Sequence, residues 1–396
     1  MPHVIRKPGI VQGTTLAVFL ALVHTVNDAI TAMLGALLPT LQGRFDAGPM
    51  LLALLVATYA LASSVTQPAL GAFAEGRSLR LVGATGVLFA AIFLSLIGVA
   101  PVLSAVFVLL VIGGMGSAAL HPVGTAIAGG PTVSNRTLGV GFFTAGGMLG
   151  FALGPVVILY LISRFGVGIT PWLMAPGILL AVLVFLLLPD WEPHVRRPLS
   201  TLVEPRLLRG PVGRLTLATS LVGLAFITFT SSVPIWLVRQ HHLPADHPSI
   251  GWTLAVFSLA AGTGSLVGGF LAPRVGHRLV LVGSTLAAVV PLLAVLWLQP
   301  GTVPFFVAVA AAGALLYTAS PVTVIVAQDL VPDAPAAAAG MVLGVATAMA
   351  GATYVAIGWV QEAIGLTAGM ALGFALVVPA AAIALTVVAR RSGRRP

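Results

Sequence analysis

Apolar runs long enough to cross a bilayer recur from one end of this chain to the other, and no other feature narrows its fold so far. They lie at about 13–41, 48–74, 79–99, 101–128, 137–163, 169–189, 213–238, 250–273, 278–298, 303–329, 337–361 and 366–389, twelve in all. A helix rising 1.5 Å per residue needs about twenty residues to cross about 30 Å of hydrocarbon, and each run supplies them. Composition agrees: 58% of residues are hydrophobic and 7% charged, against about 25% charged in an ordinary soluble domain. A soluble fold cannot hide that much apolar surface, so the expected class is an all-α polytopic membrane protein with twelve transmembrane helices. The 45 Gly and 28 Pro fit this class, because both residues are commoner in membrane helices than in soluble ones. The first run is too long for a cleaved signal and contains Asp28, which makes it a retained span.

With no cysteine, the chain has no disulfides, thiolate metal sites or cysteine nucleophile. Its formal charge of +9 does not point to nucleic acid, because the basic residues sit in short loops between apolar runs and encode topology. Sixteen Lys and Arg fall on one side when the amino terminus is placed inside; only Arg44, Arg164 and Arg239 fall on the other. That bias puts both termini in the cytoplasm of a cell-membrane protein. Between the sixth and seventh runs lies DWEPHVRRPLSTLVEPRLLRGPVGR, rich in Pro and Arg. It divides the chain into a six-helix bundle at 1–190, a cytoplasmic linker at 191–211 and a second six-helix bundle at 212–396. The halves also repeat. GAFAEGRSLR at 71–80 and GFLAPRVGHR at 269–278 stand 198 residues apart, and His121-Pro122 matches Ser320-Pro321 near that offset. Internal duplication of this kind marks transporters built from two bundles with a site between them.

Chemistry concentrates in HTVNDAITAMLGALLP at 24–39. Of the ten carboxylates in the chain, Asp28 alone lies near the centre of an apolar run, with His24 one helical turn earlier on the same face and Asn27 beside it. An acid in hydrocarbon is costly and usually faces a bundle interior or a water-filled path. Burial disfavours its charged form, which suits a group that loads and releases a proton. The other use of such an acid is a permanent helix-packing hydrogen bond.

Twelve runs, a long central loop and the paired loops at 71–80 and 269–278 resemble the major facilitator superfamily. Within it, HTVNDAITAMLGALLPTL, LASSVTQPALG at 61–71, GMGSAALHP at 114–122 and AQDLVPDAPAAAAGMVLG at 327–344 resemble the fosmidomycin resistance protein family. The resemblance implies the major facilitator fold, two bundles rocking about a central cavity, and efflux driven by proton entry. It puts the fourth span on that cavity, which brings His121 within reach of Asp28 and His24 as a proton-coupling group. Where the family often has an acid after the His-Pro pair, this chain has Val123.

A gating role falls on the loop from Gly71, where Glu75 stands in the usual place of an Asp and Arg77 and Arg80 are its basic partners. In the second copy Pro273 replaces the acid, leaving Arg274 and Arg278. Gly150, Gly154 and Pro155 in the fifth span resemble an antiporter pattern and suit close helix packing, since Gly at a spacing of four lets backbones touch. Asn27, Gln67, Thr144, Thr230, Tyr317 and Ser320 are the candidate substrate-cavity groups. His241, His242 and His247 lie in an outer loop with Asp246 as its only acid, and read as a solvated loop with no metal bound. No enzyme signature is present, and no cofactor is expected.

The expectation is therefore a monomeric secondary transporter in the lipid bilayer that exchanges protons for a small-molecule substrate, an organic or drug-like compound. A facilitator or symporter using Asp28 for binding remains open, as does a sensor or scaffold that transports nothing. All nineteen basic residues map to span ends or loops, so no buried cation waits for a phosphonate dianion, and a neutral or cationic amphiphile suits the chain better.

Overall fold

A continuous apolar run in hydrocarbon must satisfy its backbone internally, and the chain does so with helices. In the computed structural model, residues 5–7, 12–67, 70, 73–74, 78–128, 136–188, 190–191, 209–331, 338 and 340–392 are described. Ten helical segments are long and apolar enough to cross a membrane, and two apolar helices, Pro49–Ser64 and Leu279–Ala294, are shorter. Among the described residues, each of the twelve runs contains helix. One brief antiparallel pairing, Ile5–Lys7 with Asp190–Trp191, is the only strand structure among the described residues.

The chain forms two compact units, Met1–Leu37 with Leu61–Leu202 and Leu38–Ala60 with Val203–Pro396. The first holds most of α1 (Gly13–Phe45), then α3 (Leu79–Ser95), α4 (Leu103–Ala128), α5 (Arg136–Phe165) and α6 (Met174–Leu187). Helix α2 (Pro49–Ser64) belongs largely to the second unit rather than to the amino-terminal half. There Ala53 and Ala60 fill the space where Gly358 and Gly351 lack side chains.

Those glycines lie on α12 (Ala346–Ile364), which packs with α7 (Pro211–Arg239). The second unit also contains α8 (Pro248–Val275), α9 (Ser284–Ala294), α10 (Val303–Thr318), α11 (Ser320–Leu330), α13 (Leu366–Ala375) and α14 (Val377–Ser392). Two π-helical turns, Leu279–Gly283 and Met341–Val345, interrupt the regular winding.

Small residues decide which helices approach most closely. On α3 a side chain at Gly86 would meet the carbonyl of Gly116 on α4, and at Gly264 of α8 it would strike the backbone of Ala314 on α10. Outward positions carry large apolar groups such as Leu266, Val290 and Val303, all more than 70% exposed. Such a surface is stable only against lipid. The molecule is a multi-pass membrane protein.

Candidate functional site

Helix α1 carries its polar residues on the inside. His24, Asn27 and Asp28 are 6%, 1% and 4% exposed, so the acid faces protein and not lipid. The spacing of four stacks His24 over Asp28, with Nε2 3.1 Å from Oδ2. Nearby, His24 Nδ1 lies 2.6 Å from the carbonyl oxygen of Phe143 on α5, and the imidazole stacks on the Phe143 ring at 4.0 Å. A carbonyl only accepts, so Nδ1 carries a hydrogen and Nε2 is left to face the acid.

His121, on α4, repeats the arrangement. Its Nδ1 donates to the Ser117 carbonyl oxygen at 2.9 Å, and its Nε2 stands 3.4 Å from Nε2 of His24. Asn27 ties the other carboxylate oxygen: Nδ2 donates to Asp28 Oδ1 at 2.9 Å and to Ser117 Oγ at 3.0 Å. Asn27 Oδ1 is buried without a hydrogen-bond partner among the described residues, which costs about 1–3 kcal/mol.

The tautomers restrict the chemistry. With both Nδ1 atoms committed to carbonyls, the Nε2···Oδ2 contact between His24 and Asp28 is closed by one proton, held by either partner. Without it, a nitrogen lone pair and a carboxylate oxygen face each other at 3.1 Å and repel. The three donor atoms of His24, Asp28 and His121 also lie within 4.8 Å of one another, a grouping of metal-ligating type among the described residues. The hydrogen-bond pattern itself is complete with a proton.

Helix α5 makes this cluster compact. A side chain at Gly147 would stand 2.6 Å from His24 Cε1 and 2.8 Å from Asp28 Oδ2. At Gly150 it would strike the carbonyl of Thr25, and at Gly154 that of Ala29; Gly146 bears in the same way on Ala21. Thr25 Oγ1 donates to Ala21 and Gly146 carbonyls, at 2.8 Å and 2.9 Å. Pro155 lies inside α5 beside this stripe.

The other candidates separate. Tyr317 and Ser320 line one cavity in the second unit, whereas Thr230 is absent from its lining and donates to the Phe226 carbonyl on its own helix. Gln67 likewise donates to the Ser63 carbonyl, and Thr144 is exposed on α5. Of the gating residues, Gly71, Glu75 and Arg77 lie outside the described residues. Arg80 sits 5.0 Å over the Phe185 ring. Arg274 sits 3.6 Å over Phe270 and donates to its carbonyl, and Arg278 precedes the first π-helical turn.

Several participants escaped the sequence reading. Ser117 was findable, being one turn before His121; Gly146 and Gly147 extend the stripe already seen at 150 and 154. The Phe143 carbonyl has no signature, since every residue has one. In the loop between α7 and α8, His247 is a helix cap whose Nδ1 accepts from the Ser249 backbone N–H at 3.2 Å. In the second unit Ser232 joins Tyr354 at 2.7 Å and accepts from Gln361 at 2.9 Å, a buried polar link between α7 and α12.

Apolar helices across the whole chain, with a hydrogen-bonded ionisable cluster held inside one unit, define a membrane protein of the solute-carrier type. Among known proteins, the family model described as Major Facilitator Superfamily matches residues 20–246. The chain belongs to that superfamily and is a membrane transporter. It is 25% identical over 360 residues to the fosmidomycin resistance protein of Escherichia coli (strain K12), covering 87% of this chain and 85% of that one. It is 28% identical over 388 residues to the uncharacterized MFS-type transporter YfnC of Bacillus subtilis (strain 168), covering 92% and 91%. The crystal structure of the nucleoside transporter NupG superposes with a TM-score of 0.71 at 15% identity over 94% of this chain and 98% of that one. A bacterial homologue of the human lysosomal transporter Spinster, inward-facing and occupied, gives 0.70 at 17% identity over 95% of both. At these identities the two structures speak for the fold alone.

Proposed function

We propose that the protein is a proton-coupled antiporter that exports a small organic or drug-like compound by alternating access. The observation that carries this reading is the His24–Asp28 contact, whose geometry needs one proton to hold and becomes repulsive when that proton leaves. Proton loss would part His24 from Asp28, and the α1–α5 contact built around the pair would loosen with it. His121, with Nε2 directed at His24, is the group that hands the proton on, and Asn27 fixes the carboxylate through its second oxygen. Similarity to a fosmidomycin resistance protein supports export, although the confinement of the basic residues to span ends and loops favours a neutral or cationic cargo over a phosphonate.

The same reading takes twelve spans, counting the two shorter apolar helices, in a monomer of the cell membrane. The basic-residue bias supports cytoplasmic termini, with halves at 1–190 and 212–396 and a cytoplasmic gate at Gly71, Glu75, Arg77, Arg80, Arg274 and Arg278.

Proteoliposomes carrying a pH gradient test it. The parent moves protons when a cargo compound is supplied, and Asp28→Asn, which keeps the shape and the hydrogen bonds, does not. Proton movement by Asp28→Asn equal to the parent's refutes coupling through this acid.

A further inference from the structure

The second unit holds a partly open cavity of about 150 Å³, on the order of the space that holds one six-membered ring. Among the described residues, no Asp, Glu, Lys, Arg or His lines it. An ion seated there would give up part of its water and meet no counter-charge from those residues, which is unfavourable. The cavity therefore selects against charge before any specific contact is considered.

Its polar groups are sharper still. Four threonines reach the wall, Thr219, Thr285, Thr323 and Thr347, and each spends its hydroxyl hydrogen on the carbonyl four residues earlier in its own helix, at 2.8, 2.6, 3.0 and 2.6 Å. Tyr317 and Ser320 do not. Both line the cavity, and neither hydroxyl has a hydrogen-bond partner among the described residues. Two unspent O–H donors in an otherwise apolar space are satisfied by an acceptor on whatever occupies it. Their setting is also unusual. Both π-helical turns of this unit contribute wall residues, Leu281 from one and Val342 from the other, and such turns recur at functional sites.

We propose that this cavity seats an uncharged, ring-sized part of the cargo that bears a hydrogen-bond acceptor such as a carbonyl, with Tyr317 and Ser320 donating to it. Calling the ligand cargo rests on the transport reading; the binding itself does not.

The test uses the full chain in lipid nanodiscs and fluorine NMR of 4,4-difluorocyclohexanone, with empty nanodiscs subtracting lipid partitioning. The ketone binds saturably and at least about tenfold more tightly than 1,1-difluorocyclohexane, which has the ring without the acceptor. Tyr317→Phe brings the two affinities within about threefold while leaving the hydrocarbon's own affinity unchanged, which shows that the cavity survives the substitution. Ser320→Ala narrows the gap less. Equal binding of both compounds, no saturable binding, or an unchanged preference in Tyr317→Phe overturns the site. Saturable binding of cyclohexylammonium or cyclohexanecarboxylate in competition with the ketone overturns the uncharged class. Once a cargo is known, the ketone inhibits its exchange competitively, and about tenfold more ketone is needed in Tyr317→Phe; exchange untouched by a ketone that binds overturns the cargo assignment. No gradient is needed for the binding measurement, so its failure leaves proton coupling standing, and failure of coupling leaves the binding result intact.

Discussion

Removing His24 should strand Asp28, and the size of that effect can be worked from the site. The two side chains meet at 3.1 Å and each is less than a tenth exposed. Breaking a buried pair by deleting one partner costs about 3–5 kcal/mol, because the remaining charge is left without water or counter-ion. His24→Ala should fall in that range. Asp28→Asn should cost about 1 kcal/mol or less, since the amide can accept from Asn27 with its oxygen and donate to His24 Nε2 with its nitrogen. In the Asp28→Asn background no carboxylate is left to strand, so His24→Ala should then cost about 1–2 kcal/mol, mainly its stacking on Phe143 and its bond to the Phe143 carbonyl. The cycle predicts an interaction energy of about 2–3 kcal/mol, well above the roughly 0.5 kcal/mol scatter of independent sites. Denaturant unfolding of the four proteins in mild detergent, followed by tryptophan fluorescence, measures it. Additivity within about 0.5 kcal/mol would refute the shared proton, since two groups that hold one proton between them cannot be indifferent to each other's removal.

Gly147→Ala should push α5 away from the cluster, because the new methyl would stand 2.6 Å from His24 Cε1; overpacking of this kind costs about 1–3 kcal/mol, and coupled exchange in proteoliposomes should fall at least about tenfold, whereas parental exchange would show that the contact has no role. Glu362 Oε1 accepts from the Met50 backbone N–H at 3.1 Å in the first turn of α2, so Glu362→Ala should lower unfolding stability by about 0.5–1 kcal/mol, with Glu362→Gln nearer the parent. Burial, with His242 beside it, holds His241 below the usual histidine range. The folded state then binds fewer protons than the unfolded one as pH falls through that range, so stability declines on acidification. Because the ring is largely exposed, the effect is small: unfolding at about pH 7 and about pH 5 should show a slightly larger loss in the parent than in His241→Asn.

Much of the site was legible, and the illegible part has a common cause. Asp28 stands out because an acid inside an apolar run is costly, and His24 follows from the helical spacing of four. Gly150 and Gly154 were visible for the same reason, as a local period. His121 is 97 residues from His24 and the Phe143 carbonyl 119 residues away, so no local pattern joins them. The six polar residues first grouped as one cavity separate because Thr230 and Gln67 hydrogen-bond to their own helices, a choice made by rotamers rather than by residue type.

By itself, the order of residues determined that this chain lives in a bilayer, where its helices run, and which acid sits among them, because hydrophobicity and helical period are local properties. Tertiary structure alone decided that both histidines present Nε2 to the cluster, that α2 packs largely with the second unit, and that Tyr317 and Ser320 line a cavity where neither hydroxyl meets a hydrogen-bond partner among the described residues. Those outcomes depend on which carbonyl and which glycine a neighbouring helix brings to within about 3 Å, and only close packing between helices distant in sequence settles that.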